Sequence, residues 1–316
     1  MIILASDTSH RFTLPQLTKA MGGFWSSSDP APPPRPCPLP APPPFLDQPW
    51  RNWGEKQSAL QSVNNYTPQP ENRQLRILLH GLVGAGKSSF INSVRSVLEG
   101  RMCRQARVDN IASTVSCTKS YTTYRIQKGS RNTFYPFVLN DMAGLGHTSF
   151  KNRINHMKDV KRVMKGYVRD GYTFNLKCKI SKEDRFYNTD PTANDKVHIL
   201  VCVIDASTVS LMKREDVEAI QHIREEASDL GIPQVAVLTK IDAACPEIKQ
   251  DVKNVYRSRK LKLLMEQFSA DVGFPMNCIF PVKNYHEETD FDNDTDSLIL
   301  NTLKLILDFG EEMQQQ

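Results

Sequence analysis

The sequence contains no run of 18 consecutive apolar residues, so no membrane-spanning helix is expected. Its opening, MIILASDTSHRF, has only four leading apolar residues and no basic n-region, which argues against a signal peptide. There is no CxxC pair, and no histidine stands near a cysteine at zinc-binding spacing. The seven cysteines (37, 103, 117, 178, 202, 245 and 278) are odd in number and scattered. That favours reduced thiols in the cytoplasm over a disulfide framework. Charge of one sign is also lacking. Forty basic and 35 acidic residues leave +5 over 316 residues, with the signs mixed along the chain. Nucleic acid is therefore not an expected partner, while a weak attraction to anionic membrane stays open. No internal repeat is apparent.

Proline is abundant in one place. Eleven of the twenty prolines lie between Pro30 and Pro49. Such a tract favours extended polyproline II and cannot build a core, so residues 1–70 are expected to be a disordered proline-rich arm. Pro33-Pro34-Arg35-Pro36 offers a proline pair and a cation, but no complete basic PxxP site, so a spacer is preferred over an SH3-type ligand. Trp50, Trp53 and Leu60 are candidates to clasp the folded body. Residues 71–312 are expected to form that body, since a 40 % hydrophobic chain of this size supports a packed core.

The stretch LRILLHGLVGAGKSSFIN, residues 75–92, organises the rest. An apolar, β-compatible run (75–80) enters a glycine-rich turn, and Phe90, Ile91, Val94, Val97 and Leu98 follow at helical spacing. In that context GxxxxGK[ST] is a phosphate-binding loop. A phosphate chain needs many N–H donors converging on one concavity, and glycine lets the backbone curl that tightly. The predicted nucleotide contacts are Gly81, Val83, Gly84, Ala85, Gly86, Lys87, Ser88 and Ser89. The helix that begins near Lys87 turns its free N–H groups to the anion. Lys87 supplies a point charge for the β/γ-phosphates, and Ser88 an oxygen for Mg²⁺.

Strands are expected near 120–126, 134–140, 197–205, 234–238 and 278–282. Helices are expected near 154–168, 213–230, 248–268 and 297–309. Strands alternating with helices predict an α/β, doubly wound, mostly parallel sheet. Asp141-Met142-Ala143-Gly144 ends one strand, so Asp141 is a metal candidate and the Gly144 N–H a γ-phosphate candidate. Thr239-Lys240-Ile241-Asp242 follows another. There Asp242 would accept from the N1–H and N2 amine of guanine, a donor pair adenine lacks, and the Lys240 stem would cover the base. The bland alternative makes Asp242 a helix N-cap. Val282 and Lys283 occupy the place of the last base-contacting loop. Thr114 and Thr118 are both candidates to complete the Mg²⁺ shell, with Thr118 preferred as nearer the next strand.

GLVGAGKS, DMAG and TKID in this order resemble the Ras-like G-domain class of P-loop GTPases over about 72–310. More narrowly, PWRNW, LRILLHGLVGAGKSSFINSV, LNDMAGLG, VCVIDAS, VLTKIDAACPE and FPVKNYHEE resemble the interferon-induced protein 44 and 44-like family. The resemblance implies a cytoplasmic GTP-binding protein of innate antiviral defence, using GTP/GDP and Mg²⁺. Larger members carry a further N-terminal domain, whose functions are not carried over.

Two departures bear on catalysis. Val83 stands where Ras-like enzymes have glycine, and Leu145 where fast hydrolases place a water-orienting glutamine; leucine cannot polarise water. His147 is the nearest titratable substitute. Ninety-five residues separate Gly144 from Lys240, more than a small Ras-like enzyme needs, and the surplus falls in an insertion at about 147–196. The expected function is a GTP-binding switch with slow or partner-dependent hydrolysis. The alternatives are a GTPase completed by homodimerisation or a regulatory protein, and a scaffold with a vestigial pocket. Intact Lys87, Ser88, Asp141 and Asp242 argue against the last. ATP is the alternative nucleotide.

Met21-Gly22-Gly23-Phe24-Trp25-Ser26 matches the N-myristoylation pattern, which would act only if translation began at Met21. A pattern this loose arises by chance, and the expectation is an unmodified chain. Intact-mass spectrometry of the native protein tests this: a Gly22 start carrying a C14 acyl mass would overturn it.

Overall fold

The computed structural model describes residues 43–69, 73–104, 106, 119–130, 132–146, 149–175 and 177–312. In chain order the elements are α1 (Lys56–Asn64), β1 (Leu75–His80), α2 (Lys87–Glu99), β2 (Thr122–Gln127), β3 (Phe134–Asp141), α3 (Phe150–Met164) and β4 (Ile199–Asp205). There follow α4 (Arg214–Asp229), β5 (Gln234–Thr239), the short α5 (Ile241–Ala244) and α6 (Pro246–Gln250), α7 (Arg259–Val272), β6 (Ile279–Pro281) and α8 (Asn293–Glu312). Six strands form one sheet in the order β2-β3-β1-β4-β5-β6. Only the β2–β3 pair is antiparallel. The expected α/β, doubly wound, mostly parallel sheet is present.

Strand periodicity divides the core between two faces. Leu78, Leu200, Cys202, Ile204, Ala236 and Leu238 point to the face covered by α3, α4 and α7. Leu75, Ile77, Leu79, Val201, Val203 and Val237 point to the face covered by α2 and α8. A strand buried on both faces carries no polar alternation, which is why β4 and β5 read as continuous apolar runs.

Three expectations change. The disordered arm expected over 1–70 does not reach residue 70. Residues 43–69 run along the folded body and include α1, whose Ala59 and Val63 are buried. Residues 1–42, with most of the proline tract and Gly22, lie outside the described residues. Trp50 and Trp53 meet Tyr256 edge-on, so the expected clasp holds for both tryptophans. The single helix expected near 248–268 is broken. The Asp251 side chain accepts from the Lys253 N–H and starts a short 3-10 helix (Val252–Tyr256), and Ser258 accepts from the Leu261 N–H and caps α7. In the insertion, α3 takes up 150–164, and residues 171–174 pair with the chain where it enters β2. There the Tyr121 N–H donates to the Tyr172 carbonyl, the Gly171 N–H to the Tyr121 carbonyl, and the Phe174 N–H to the Lys119 carbonyl, at 2.7–2.9 Å.

Among the described residues no helix is long and apolar enough to cross a membrane.

Arg51 carries the strap. Its guanidinium lies over Trp50, Tyr256 and Phe280 and donates to the Ile279 and Met276 carbonyls at 2.8 and 2.7 Å. Arg51→Ala loses two charged hydrogen bonds and a cation–π stack, and should lower unfolding stability by about 2 kcal/mol. A urea midpoint equal to that of the unaltered chain would contradict the clasp.

Candidate functional site

The glycine-rich loop lies where β1 meets α2. Gly86 has φ +90° and caps α2, and Gly81 has φ +141° with its Cα packed against β4. A Cβ on Gly81 would lie 2.0 Å from the Val203 carbonyl oxygen, so only glycine fits. Lys87 is buried and its ammonium donates to the Leu82 and Gly81 carbonyls at 2.9 and 3.3 Å. Gly84, Ala85 and Ser89 complete the turn into α2, as expected of the loop.

The segment after β3 closes on this loop. The Leu145 N–H donates to the Gly81 carbonyl at 2.9 Å, and the Val83 N–H to the Leu145 carbonyl at 3.0 Å. Gly144 lies against Lys87 and Val83: a Cβ there would meet the Lys87 Nζ and the Val83 Cα, each at 2.9 Å. Ser88 Oγ donates to Asp141 Oδ2 at 2.5 Å, and both side chains are buried.

That pair fits a magnesium ion. Two oxygens on neighbouring vertices of an octahedron with bonds of about 2.0–2.1 Å stand about 2.9 Å apart, so a few tenths of an ångström of opening would suffice. Among the described residues no group of three or more His, Cys, Asp or Glu gathers as a metal cage. Mg²⁺ bound mainly by phosphate and water asks for none. Thr114, Thr118 and His147 lie outside the described residues.

The base side is built from the ends of β5 and β6. Thr239 Oγ1 donates to the Ala85 carbonyl at 2.5 Å, tying TKID to the phosphate loop. Lys240 adopts φ +53°, uncommon for a residue with a Cβ, and its ammonium pairs with Asp205 Oδ2 at 2.8 Å. Asp242 lies inside α5, whose N-cap is Lys240, so the N-cap alternative for Asp242 does not hold. Among the described residues no hydrogen bond or ion pair engages its carboxylate, and the side chain is part-exposed.

The last loop differs from expectation at Val282. Its N–H donates to the Leu238 carbonyl at 2.7 Å and its side chain is fully buried, so neither is open to a base. The Lys283 ammonium leans outward to Glu288 at 3.3 Å. Asn284, which sequence reasoning missed, donates from Nδ2 to the Gly86 carbonyl at 3.3 Å. Its signal in the sequence was a carboxamide one position past the expected triplet.

Residues 76–240 match the family model described as 50S ribosome-binding GTPase. The chain belongs to this GTPase family. It is 34 % identical over 263 residues to interferon-induced protein 44 of Homo sapiens, covering 82 % of this chain and 58 % of the relative. To interferon-induced protein 44-like of Homo sapiens it is 32 % identical over 260 residues, covering 80 % and 56 %. The chain thus spans less than three-fifths of the curated relatives it matches. Among solved structures, Toc33 from Arabidopsis thaliana in complex with GDP and Mg²⁺ aligns with a TM-score of 0.43 at 13 % identity, covering 81 % of this chain and 91 % of that one. The expected kinship with the interferon-induced 44 and 44-like proteins is thereby found, and a P-loop GTPase domain accounts for the motifs.

Two histidines lie beneath the site. Burial, with the Lys87 and Arg224 cations, pushes His80 down to about 3. Burial and Lys87 push His156 down to about 4. His156 lies beside the Ala143 main chain without an aligned hydrogen bond, and its ring packs on Phe174. On the far edge, burial and Arg73 push His198 down to about 4 as well. All three are neutral when folded and take up a proton near pH 6.5 when unfolded. The unfolded chain therefore binds more protons between about pH 4 and 6.5. Stability should be flat above pH 6.5 and fall below it, by about 1.4 kcal/mol per pH unit for each histidine. His156→Phe should make the acid limb shallower by one histidine. An unchanged acid limb in that variant would contradict the buried neutral state.

Proposed function

We propose that this protein is a Mg²⁺-dependent guanine-nucleotide switch of an interferon-induced, cytoplasmic antiviral response, with slow intrinsic GTP hydrolysis. The observation that carries the guanine assignment is the Thr239–Ala85 bond, which fixes TKID to the phosphate loop while leaving the Asp242 carboxylate unengaged. An unpaired carboxylate at a base pocket selects a base with two adjacent N–H donors. Ser88 and Asp141 would hold the metal, which would supply charge neutralisation at the phosphates. Lys87 steers the phosphates. The curated relatives' names support the interferon-induced context.

Slow turnover is supported by what stands beside the γ-phosphate position. Leu145 brings an apolar side chain, and its main chain is engaged by Gly81 and Val83. Nothing at Val83 or Leu145 orients water, so a partner, either a second copy or a regulatory protein, supplies any acceleration.

Calorimetry of the purified protein with GTP, GDP and ATP, with and without Mg²⁺, tests the reading. GTP and GDP should bind with Mg²⁺ and ATP should not. Asp242→Asn should weaken GTP by about 2–3 kcal/mol and favour xanthosine triphosphate, whose exchanged donor pattern suits an amide. Unchanged GTP affinity in that variant removes the guanine assignment. Lys87→Ala should weaken both guanine nucleotides, and Ser88→Asn should weaken GTP more than GDP. Phosphate release from the monomer should stay below about 1 min⁻¹, the range of unassisted G domains. A rate that climbs with protein concentration would move the catalytic group to a second copy.

A further inference from the structure

We propose that the Asn284 carboxamide is a specificity-determining group of the base pocket, donating one Nδ2 hydrogen to N7 of a bound guanine. The proposal rests on the guanine reading above and adds a residue that the motif pattern does not contain.

The need arises at Thr239. The [NT]KxD pattern accepts asparagine or threonine at its first position, and the two are not equivalent. An asparagine amide has two hydrogens, one for the phosphate loop and one for a ligand. The Thr239 hydroxyl has a single proton, which goes to the Ala85 carbonyl. Its side chain is wholly buried. The loop is secured, and no donor is left for the base.

Asn284 stands beside that position. A Cβ built on Gly86 would lie 3.1 Å from Thr239 Oγ1 and 3.2 Å from Asn284 Nδ2, so hydroxyl and amide flank the same glycine. One Nδ2 hydrogen goes to the Gly86 carbonyl. The second has no partner among the described residues. Asn284 Oδ1 is buried without a partner. A stranded acceptor is costly, and the orientation that strands it is the one that puts Nδ2 at the loop.

The residues on either side hold Asn284 in place. The Val282 N–H is bound to Leu238, and the Tyr285 N–H donates to Ser93 Oγ on α2 at 2.9 Å. The Tyr285 hydroxyl in turn donates to Asp296 at 2.6 Å. Lys283 faces Glu288. Within this loop Asn284 is the side chain that offers a donor at Gly86.

Guanine has the matching edge. Its N1–H and N2 donors go to Asp242, and its other polar edge presents the acceptors N7 and O6. N7 belongs to the ring that carries the ribose, the ring nearer the phosphate loop.

The test is a chemical cycle using GDP and 7-deaza-GDP, which replaces N7 by a carbon. In calorimetry the unaltered protein should bind 7-deaza-GDP about tenfold more weakly than GDP, the scale of one hydrogen bond. Asn284→Ala removes the Gly86 prop for both ligands, and its loss should be about tenfold greater for GDP than for 7-deaza-GDP. Asn284→Leu keeps the approximate size without charge and removes the donor, so its loss should again be about tenfold greater for GDP than for 7-deaza-GDP. Equal weakening of both ligands assigns Asn284 a structural role and overturns the proposal, as does no change for either. Asp242→Asn in parallel separates the two readings. If it switches to xanthosine nucleotides while Asn284→Ala shows no selective loss, only the Asn284 assignment falls. If no guanine nucleotide binds the unaltered chain, both fall.

Discussion

A loop made of inward-facing main-chain amides has little side-chain surface with which to hold its own shape. Here neighbouring strand ends hold it. The Gly81 carbonyl accepts from Leu145 after β3, the Ala85 carbonyl from Thr239 at the end of β5, and the Gly86 carbonyl from Asn284 after β6. Each prop satisfies a carbonyl of the loop, while the Val83 and Ala85 amides are held by the Leu145 and Leu82 carbonyls. The sheet order makes this possible. β1 lies inside the sheet between β3 and β4, and the parallel strands deliver their C-terminal ends to one rim. Fold and site are thus one constraint: shift the register of β5 or β6 by a residue, and a prop is lost along with the core face it belongs to.

The rim is electrostatically asymmetric. Lys87 is buried, and its charge reaches the two histidines under β1 and α3. Histidine on an apolar face with no partner is held neutral, and the cation beside it reinforces burial. On the base side the balance is local instead. Lys240 is matched by Asp205, which also accepts from the Ser207 N–H and hydroxyl. That pairing holds the Lys240 ammonium, while among the described residues no hydrogen bond or ion pair engages the Asp242 carboxylate.

Much of this was legible in the residues. β1 and the start of α2 could be placed closely because glycine punctuates both. β4 and β5 were plain because a doubly covered strand is apolar at every position. α1 was hidden by its setting. A nine-residue helix after a proline tract is not stable alone, and what holds it is long-range: Lys56 reaches Asp296, and Arg51 reaches the start of β6. The break between α6 and α7 was masked because the apolar spacing runs through it, while the side chains of Asp251 and Ser258 decide it locally. The base loop failed for a different reason. Counting positions from a motif put Val282 at the base, but the pairing of Leu238 with Pro281 sets where the strand releases the chain, and that register is not written in the loop.

The insertion shows how such registers can tie distant parts of the site together. Its main chain pairs with Lys119 and Tyr121, where the chain enters β2. The Tyr172 hydroxyl and the Ile180 N–H both donate to Asp159 on α3, at 2.8 and 2.9 Å. The Phe174 ring lies on His156, which borders Ala143 of DMAG. Asp159 is buried, and a buried carboxylate that loses its donors is far costlier than one in water. α3 therefore does not slide away from 172–180 cheaply, and 171–174 does not leave β2 without breaking three main-chain bonds. Opening DMAG from the phosphate loop by moving α3 must carry the entry to β2 with it, or spend the hydrogen bonds that join them.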